Sequence, residues 1–398
     1  MIKPIINSML DTDFYKFTMQ QVVFKKFPDV EVEFTFKNRT KGIKLKYDDY
    51  YLKLQTEIQN LCNIVFQNQE LDYLESLGIF SKGYLNFLQR FRYRLCDVDI
   101  IKGKEGELQI KIHGTWLNTI LWEVPLLAII SELCTNQHST HNDEMIGQEN
   151  LFSNIKYISR WDDHKDIRFA DFGTRRRYSR EWQEYIVNTL TGDLRKNFVG
   201  TSNVLLAMKY GVKPIGTMAH EFIQAMQQIS GCQLRDSQKC AFQTWADVYR
   251  GDLGIALSDT LGMNTFFNDF DMYFSKLFDG ARHDSGDPYI WCDKLIKHYK
   301  SMGIDPLTKT AVFSDGLTFP KMVELHKHYK DKIKVSFGIG TNLTNDCGIK
   351  PLQIVIKMTK CNGRPVAKIS DSKGKQMCED REYLKHLCNV FKIPQDRI

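Results

Sequence analysis

Beyond about residue 160 the sequence repeats one pattern: a short apolar run, a polar or glycine-rich loop, then helix-like periodicity. Phe169 leads into Asp171-Phe-Gly-Thr-Arg175, Phe198-Val199 into Gly200-Thr-Ser-Asn203, and Pro214-Ile215 into Gly216-Thr-Met-Ala-His220. Ile255 to Leu257 precedes Ser258-Asp-Thr260, and Leu277-Phe278 precedes Asp279 through Pro288. Ala311 to Phe313 precedes Ser314-Asp-Gly316, and Lys334 to Phe337 precedes Gly338-Ile-Gly340-Thr341. Spacings of roughly 15 to 45 residues are what βα units need. Such units close most naturally into a (β/α) barrel, with the active site on loops at the C-terminal ends of the strands. An open doubly wound sheet is the competing arrangement.

The flanks read differently. Residues 11–27 suggest an amphipathic helix capped by Thr12 or Asp13, with Phe14, Phe17, Phe24 and Phe27 near one face. Val30 to Phe36 and Glu107 to His113 alternate as half-buried strands do, and residues 45–95 read as helices. Gln353 to Lys360 and Arg364 to Ser370 flank Cys361-Asn-Gly363, a strong hairpin signal, with Pro365 at a strand start. This hairpin is expected to join the N-terminal sheet. The expected fold is therefore α/β: an irregular (β/α) barrel over residues 116–345, plus a discontinuous α/β sandwich-like domain. Residues 1–115 and 346–398 supply that second domain.

At 398 residues, 42% hydrophobic and 26% charged, the chain can bury a sizeable core and shows no sign of disorder. A net charge of +6 is mild, and the basic run from Lys357 to Lys375 reads as a solvated or site-facing surface, not a nucleic-acid patch. The ten cysteines contain no Cys-x-x-Cys pair, so reduced core thiols in a cytoplasmic protein are expected. The apolar stretch Trp116 to Leu133 is interrupted by Asn118, Glu123 and Pro125, which argues for a buried helix and against a membrane span.

The chemistry sits at the junctions. His220 can take a proton or a phosphoryl group, and its residue type and position leave both roles open. Arg282, Asp284 and Asp287 surround a tight turn. They fit either a capped helix start or a site where Arg282 meets a phosphate or an aromatic ring and Asp284 a hydroxyl or cation. The Gly338-Ile-Gly340-Thr341 loop offers backbone N–H groups to a phosphate. Arg175-Arg-Arg177 is either a solvated helix start or a clamp for an anion. No phosphate-binding Gly-x-x-x-x-Gly-Lys-Ser/Thr loop and no Gly-x-Gly-x-x-Gly occurs.

Taken in order, these segments resemble nicotinate phosphoribosyltransferases. The resemblance also uses Thr12-Asp-Phe-Tyr-Lys16 and Phe36-Lys-Asn-Arg39, and it runs from about residue 7 to 375. It implies that nicotinate and 5-phosphoribosyl pyrophosphate give nicotinate mononucleotide and pyrophosphate, coupled to ATP hydrolysis. It implies a homodimer with shared sites and His220 as a phosphohistidine. Phe172 is expected on one face of the pyridine ring, with Tyr15 of a second subunit on the other. Arg175 and Arg282 are expected near the ring and its carboxylate, and Arg39, again from the second subunit, near pyrophosphate or ATP. Asp259 and Asp284 are expected to serve the ribose and its cationic transition state. Asp315, Gly316, Gly340 and Thr341 are expected at the 5′-phosphate, and Thr174 and Thr217 among the substrate-binding residues. Mg²⁺ is expected on substrate phosphates, without a protein cage of its own. Ser202, where nicotinamide-specific relatives carry Asp, favours the acid over the amide. The quinolinate enzyme fits less well, having no need of a phosphohistidine. A non-catalytic nucleotide- or RNA-binding protein would not need His220, Asp259 and Asp284 together.

Overall fold

The computed structural model describes residues 3–140, 142–160, 165–372 and 378–395. The alternating segment after Val30 becomes β1 (Glu31–Asn38), which buries Val32, Phe34 and Phe36 on one face. β2 (Val98–Lys102) and β3 (Leu108–Thr115) extend the same antiparallel sheet in the order β1-β3-β2. The expected helices between them span Tyr47–Asn63, Asn68–Ser76 and Lys82–Arg90.

The junction region supplies a parallel sheet. Its strands are β4 (Phe169–Asp171), β5 (Phe198–Thr201), β6 (Lys213–Pro214), β7 (Ile255–Leu257), β8 (Gly280–His283), β9 (Thr310–Phe313) and β10 (Lys334–Ile339). Their order is β6-β5-β4-β10-β9-β8-β7, a curled sheet whose end strands β6 and β7 share no backbone ladder. Side chains bridge the seam between them: Thr217 Oγ1, for example, donates to the Ile255 carbonyl at 2.9 Å. One strand lies later than the sequence suggests. Leu277 completes the helix Met272–Leu277, so the apolar pair Leu277-Phe278 ends a helix and β8 begins at Gly280.

The chain then returns to the first sheet. β11 (Ile354–Cys361) pairs antiparallel with β1, from Val32 opposite Cys361 to Asn38 opposite Ile354. Asn362 (φ 50°) and Gly363 (φ 71°) turn the hairpin into β12 (Arg364–Pro365). Positive φ at both central residues is what a tight type I′ hairpin requires. The second hairpin strand is shorter than expected. After Pro365 the chain leaves the sheet and crosses to the barrel, where the Ile369 N–H donates to the Thr260 carbonyl. That crossing carries Lys368 to the barrel mouth.

Three expectations are corrected. The helix Phe14–Lys26 is buried on all sides from Phe14 to Val23, so it is a core helix and not an amphipathic surface one. Asp13 occupies its N-cap position without capping it, because its carboxylate faces Ser202 instead. Cys232 and Cys240 form a disulfide across the loop into the helix Ser237–Tyr249, so not every cysteine is a reduced thiol. The apolar stretch is a core helix as expected. An 18-residue stretch within Trp116–His138 is 94% buried inside the protein, and the main helix there, Glu123–His138, starts two residues before Pro125.

Candidate active site

The C-terminal ends of the barrel strands and the edge of β11 face each other across a cleft of about 500 Å³. That volume suits a small organic ligand. The strand ends and loops of β4, β5, β6, β8, β9 and β10, the start of the helix Phe14–Lys26 and β11 all reach it, so the two sheets form opposite walls.

The deepest part is built around His220, which opens the helix His220–Ala225 after β6. Its Nε2 lies 2.7 Å from Asp259 Oδ1, 2.7 Å from Lys368 Nζ and 3.6 Å from Asp284 Oδ2. Asp259 is itself held by Lys368 Nζ at 2.9 Å and by the Ser285 hydroxyl at 2.6 Å. One ring nitrogen cannot donate to Asp259 and accept from Lys368 together, so the two contacts select opposite tautomers. Burial, then the Lys368 ammonium, push His220 down to about 4 against the pull of Asp259, so the imidazole is neutral at pH 7. Burial would raise Asp259, but Lys368 and His220 outweigh it and hold the carboxyl far below its usual range. His220, Asp259 and Asp284 could by spacing hold a metal ion. The Lys368 ammonium already contacts two of these three groups, His220 and Asp259.

Further along the cleft, Arg282 Nη2 and the Ser314 hydroxyl meet Asp284 Oδ1 at 3.2 and 2.9 Å. The helix start read at Asp284-Ser-Gly-Asp287 divides the labour: Asp287 caps the helix Pro288–Ser301 through Tyr289 and Ile290 N–H, leaving Asp284 for the cleft. Asp315, Gly316, Gly340 and Thr341 line the far end.

The other end is aromatic. Phe172 and Tyr15 both line it. A Cβ on Gly338 would fall 2.2 Å from the Phe172 ring, and one on Gly216 would lie 3.1 Å from Tyr15 N. Glycine at these two positions therefore lets the loops close onto the aromatic pair. Asp171 fixes the Phe172 loop: its carboxylate accepts from Gly173 N–H, Thr201 Oγ1 and Gln183 Nε2 at 2.7, 2.7 and 2.8 Å. Arg175 enters beside Glu123 (3.4 Å) and Asp13 (3.9 Å). Ser202 Oγ donates to Asp13 Oδ1 at 2.7 Å. Its hydroxyl is thus engaged by a protein carboxylate and is not a free donor for a substrate acid.

The cleft brings together Tyr15, Arg39, Phe172, Arg175, Ser202, His220, Arg282, Asp284, Asp315, Gly316, Gly340 and Thr341. Thr217 and Thr174 do not line it: Thr217 latches the barrel seam, and Thr174 Oγ1 is buried against Gln183 Nε2 at 3.1 Å. Asp259 stands behind His220. Of the three arginines at 175–177, Arg177 is neither solvated nor substrate-facing; it is fully buried on Asp11 at 2.6 and 2.9 Å. Arg176 lines the cleft and donates through Nε to the Ile354 carbonyl at 2.9 Å.

Tyr15 and Arg39 line the cleft of their own chain. The reason is local pairing: Phe14 N–H donates to the Ser202 carbonyl, Asp13 bridges Asn203, and Arg39 N–H donates to the Gln353 carbonyl. Mixing Tyr15→Ala chains with His220→Ala chains is accordingly expected to restore no activity, and turnover per chain should persist on dilution. Recovery of more than a few per cent of wild-type activity in the mixture would contradict this.

Sequence reasoning missed Asp13, Glu123, Glu221, Lys357 and Lys368 as cleft or near-cleft groups. The basic run from Lys357 was a signal for two of them. Lys357 and Lys360 stand three residues apart on an extended segment, so they face opposite sides of it and one of them turns inward.

The geometry can be set beside known proteins. Residues 167–395 match the model of the nicotinate phosphoribosyltransferase (NAPRTase) family, and residues 10–131 match that of its N-terminal domain. The chain belongs to the nicotinate phosphoribosyltransferase family. It is 49% identical over 391 residues to the nicotinate phosphoribosyltransferase of Bordetella petrii, covering 98% of this chain and 99% of that one. It is 49% identical over 393 residues to that of Burkholderia cenocepacia, covering 98% of each. Among solved structures, the nicotinate phosphoribosyltransferase of Porphyromonas gingivalis superposes with a TM-score of 0.91 at 34% identity. That alignment covers 98% of this chain and all of the other. The Vibrio cholerae protein of the same name gives 0.91 at 36% identity over 98% and 95% of the two chains. The family residues implied by sequence thus lie in one cleft, apart from those corrected above.

Proposed function

We propose that this family member transfers phosphoribose from 5-phosphoribosyl pyrophosphate to nicotinate, giving nicotinate mononucleotide and pyrophosphate, coupled to ATP hydrolysis through phosphorylation of His220. The observation that carries the proposal is a neutral, buried His220 on Asp259 and Lys368, in the same cleft as an aromatic pair and several arginines.

With Nε2–H donated to Asp259, the Nδ1 lone pair is the nucleophile. It forms a bond to the γ-phosphorus of ATP as the bond to the ADP oxygen breaks. Lys368, next to the same carboxylate, balances the negative charge that arrives. Mg²⁺ bound to the phosphates would supply charge neutralisation on their oxygens. In the second step the nicotinate ring nitrogen, a free lone pair at neutral pH, attacks C1 of the ribose while the C1–pyrophosphate bond breaks. No proton moves in that displacement, and its product is a pyridinium; water then attacks the phosphorus on His220, the Nδ1–phosphorus bond breaks, and inorganic phosphate leaves the regenerated imidazole, which completes the hydrolysis of ATP. Asp284 faces the cationic ribose, Arg39 faces the leaving oxygens, Arg175 and Arg282 meet the ring and its carboxylate, and Phe172 and Tyr15 hold the ring in line. A cytoplasmic setting, where ATP and the sugar substrate are at hand, is part of this reading. A homodimer is part of the same reading.

Turnover with nicotinate and with nicotinamide, each with and without ATP, tests the reaction through product and pyrophosphate release. Nicotinate with ATP should be the best condition by a wide margin. Incubation with γ-labelled ATP should place acid-labile label on His220; label elsewhere, or undiminished label in His220→Asn, would sink the phosphohistidine. The His220 ring resonance should stay at its neutral position from pH 8 down to about pH 5. A midpoint near the ordinary 6.5 would mean that burial and Lys368 do not control it.

A further inference from the structure

Lys16 lies beneath the cleft floor with its side chain fully buried, and its ammonium bridges two carboxylates. Nζ is 2.6 Å from Glu123 Oε2 and 2.7 Å from Glu221 Oε2. Those two acids lead to opposite ends of the cleft. The other oxygen of Glu123 holds Arg175, at the aromatic end. Glu221 follows His220 in the first turn of the helix His220–Ala225.

Both glutamates line a cleft that must accept anions. Without a cation between them they would repel each other and the substrates alike. Burial would raise Glu123, but Lys16, Lys357 and Arg175 together outweigh it and hold the carboxyl near 2, so it stays ionised for Arg175. Burial raises Glu221 against the pull of Lys16. The charged and titratable groups around the cluster are Tyr15, Asp13, Arg175 and Lys357, none of which is placed to bridge both glutamates.

We infer that Lys16 is a positioning residue that fixes Arg175 for the substrate carboxylate and keeps the cleft floor from carrying two uncompensated anions. The inference rests on the proposed nicotinate reaction. It gives Lys16, which touches no substrate, control over nicotinate binding more than over the sugar phosphate.

Lys16→Met tests it. The variant should raise KM for nicotinate by about 30-fold or more while changing KM for 5-phosphoribosyl pyrophosphate less than about 3-fold. A new ionisation should enter the pH profile of kcat/KM for nicotinate between pH 5 and 8, as the two freed glutamates come to share a proton. Lys16→Met/Glu221→Gln removes the surplus anion and should recover most of the nicotinate KM, which a purely structural lysine would not allow. If Lys16→Met does not fold, Glu221→Gln alone carries the test. It concentrates the ammonium on Glu123, weakens the grip of that acid on Arg175, and should raise the nicotinate KM selectively. Equal changes in both KM values, or an unchanged nicotinate KM in a folded variant, would overturn the inference. Wild-type protein without nicotinate turnover would instead reject the proposed reaction itself.

Discussion

Replacing Asp259 with asparagine is expected to lower ATP-dependent turnover by about 10³-fold, because an amide of the same shape can donate to His220 and select the wrong tautomer. The carboxylate accepts from His220 at 2.7 Å, Lys368 at 2.9 Å and Ser285 at 2.6 Å, so its charge organises three groups. Its loss also leaves the buried Lys368 ammonium without its ion-pair partner, a defect that costs about 3–5 kcal/mol in comparable settings. Stability and catalysis can be separated. Asp259→Asn/Lys368→Met removes the stranded charge and should recover much of the melting temperature without recovering phosphorylation of His220. Wild-type labelling of His220 in the single variant would show that Asp259 does not set the tautomer.

The second large effect concerns the ring end. Ser202→Asp would place a carboxylate where a hydroxyl now donates to Asp13 at 2.7 Å, with both residues buried. Burial already raises Asp13, with Arg175 and Ser202 opposing. Two such acids in contact share one proton, so the pocket gains a fixed anion that Arg175 must now serve. For nicotinate this competes with its own carboxylate, and kcat/KM should fall by roughly 10²-fold or more. Nicotinamide, being neutral, should lose much less, and the ratio of the two constants is the measurement. An unchanged ratio would mean that the specificity determinant lies elsewhere in the cleft. The reasoning differs from the sequence-based one: Ser202 acts by keeping Asp13 satisfied, not by touching the substrate acid.

The contrast between these residues shows what local sequence could and could not convey. Strand-to-loop junctions announce themselves through short apolar runs beside glycine, serine and aspartate, and they placed His220, Asp284 and Arg175 on the barrel mouth. The misplaced β8 came from an apolar pair that completes a helix, an ambiguity short runs always carry. Contacts between distant segments left no local trace. Nothing near Asp13 indicates that it meets Ser202, nothing near Lys16 names Glu123 and Glu221, and nothing in a basic tail singles out Lys368 as the partner of His220. Thr217 was misread for the same reason, since its acceptor lies on β7.

The pairing of β1 with β11 has a consequence for biosynthesis. Val32 waits for Cys361, so during translation β1 has β3 on one side and an open hydrogen-bonding edge on the other. At about 5–20 residues per second that edge stays open for tens of seconds, an invitation to non-native strand pairing and a natural target for chaperones. A nascent chain that lacks β11, Lys357 and Lys368 cannot assemble the His220 end of the cleft. The cleft is complete only once β11 and Lys368 have been made, a checkpoint that the order of synthesis imposes on the fold.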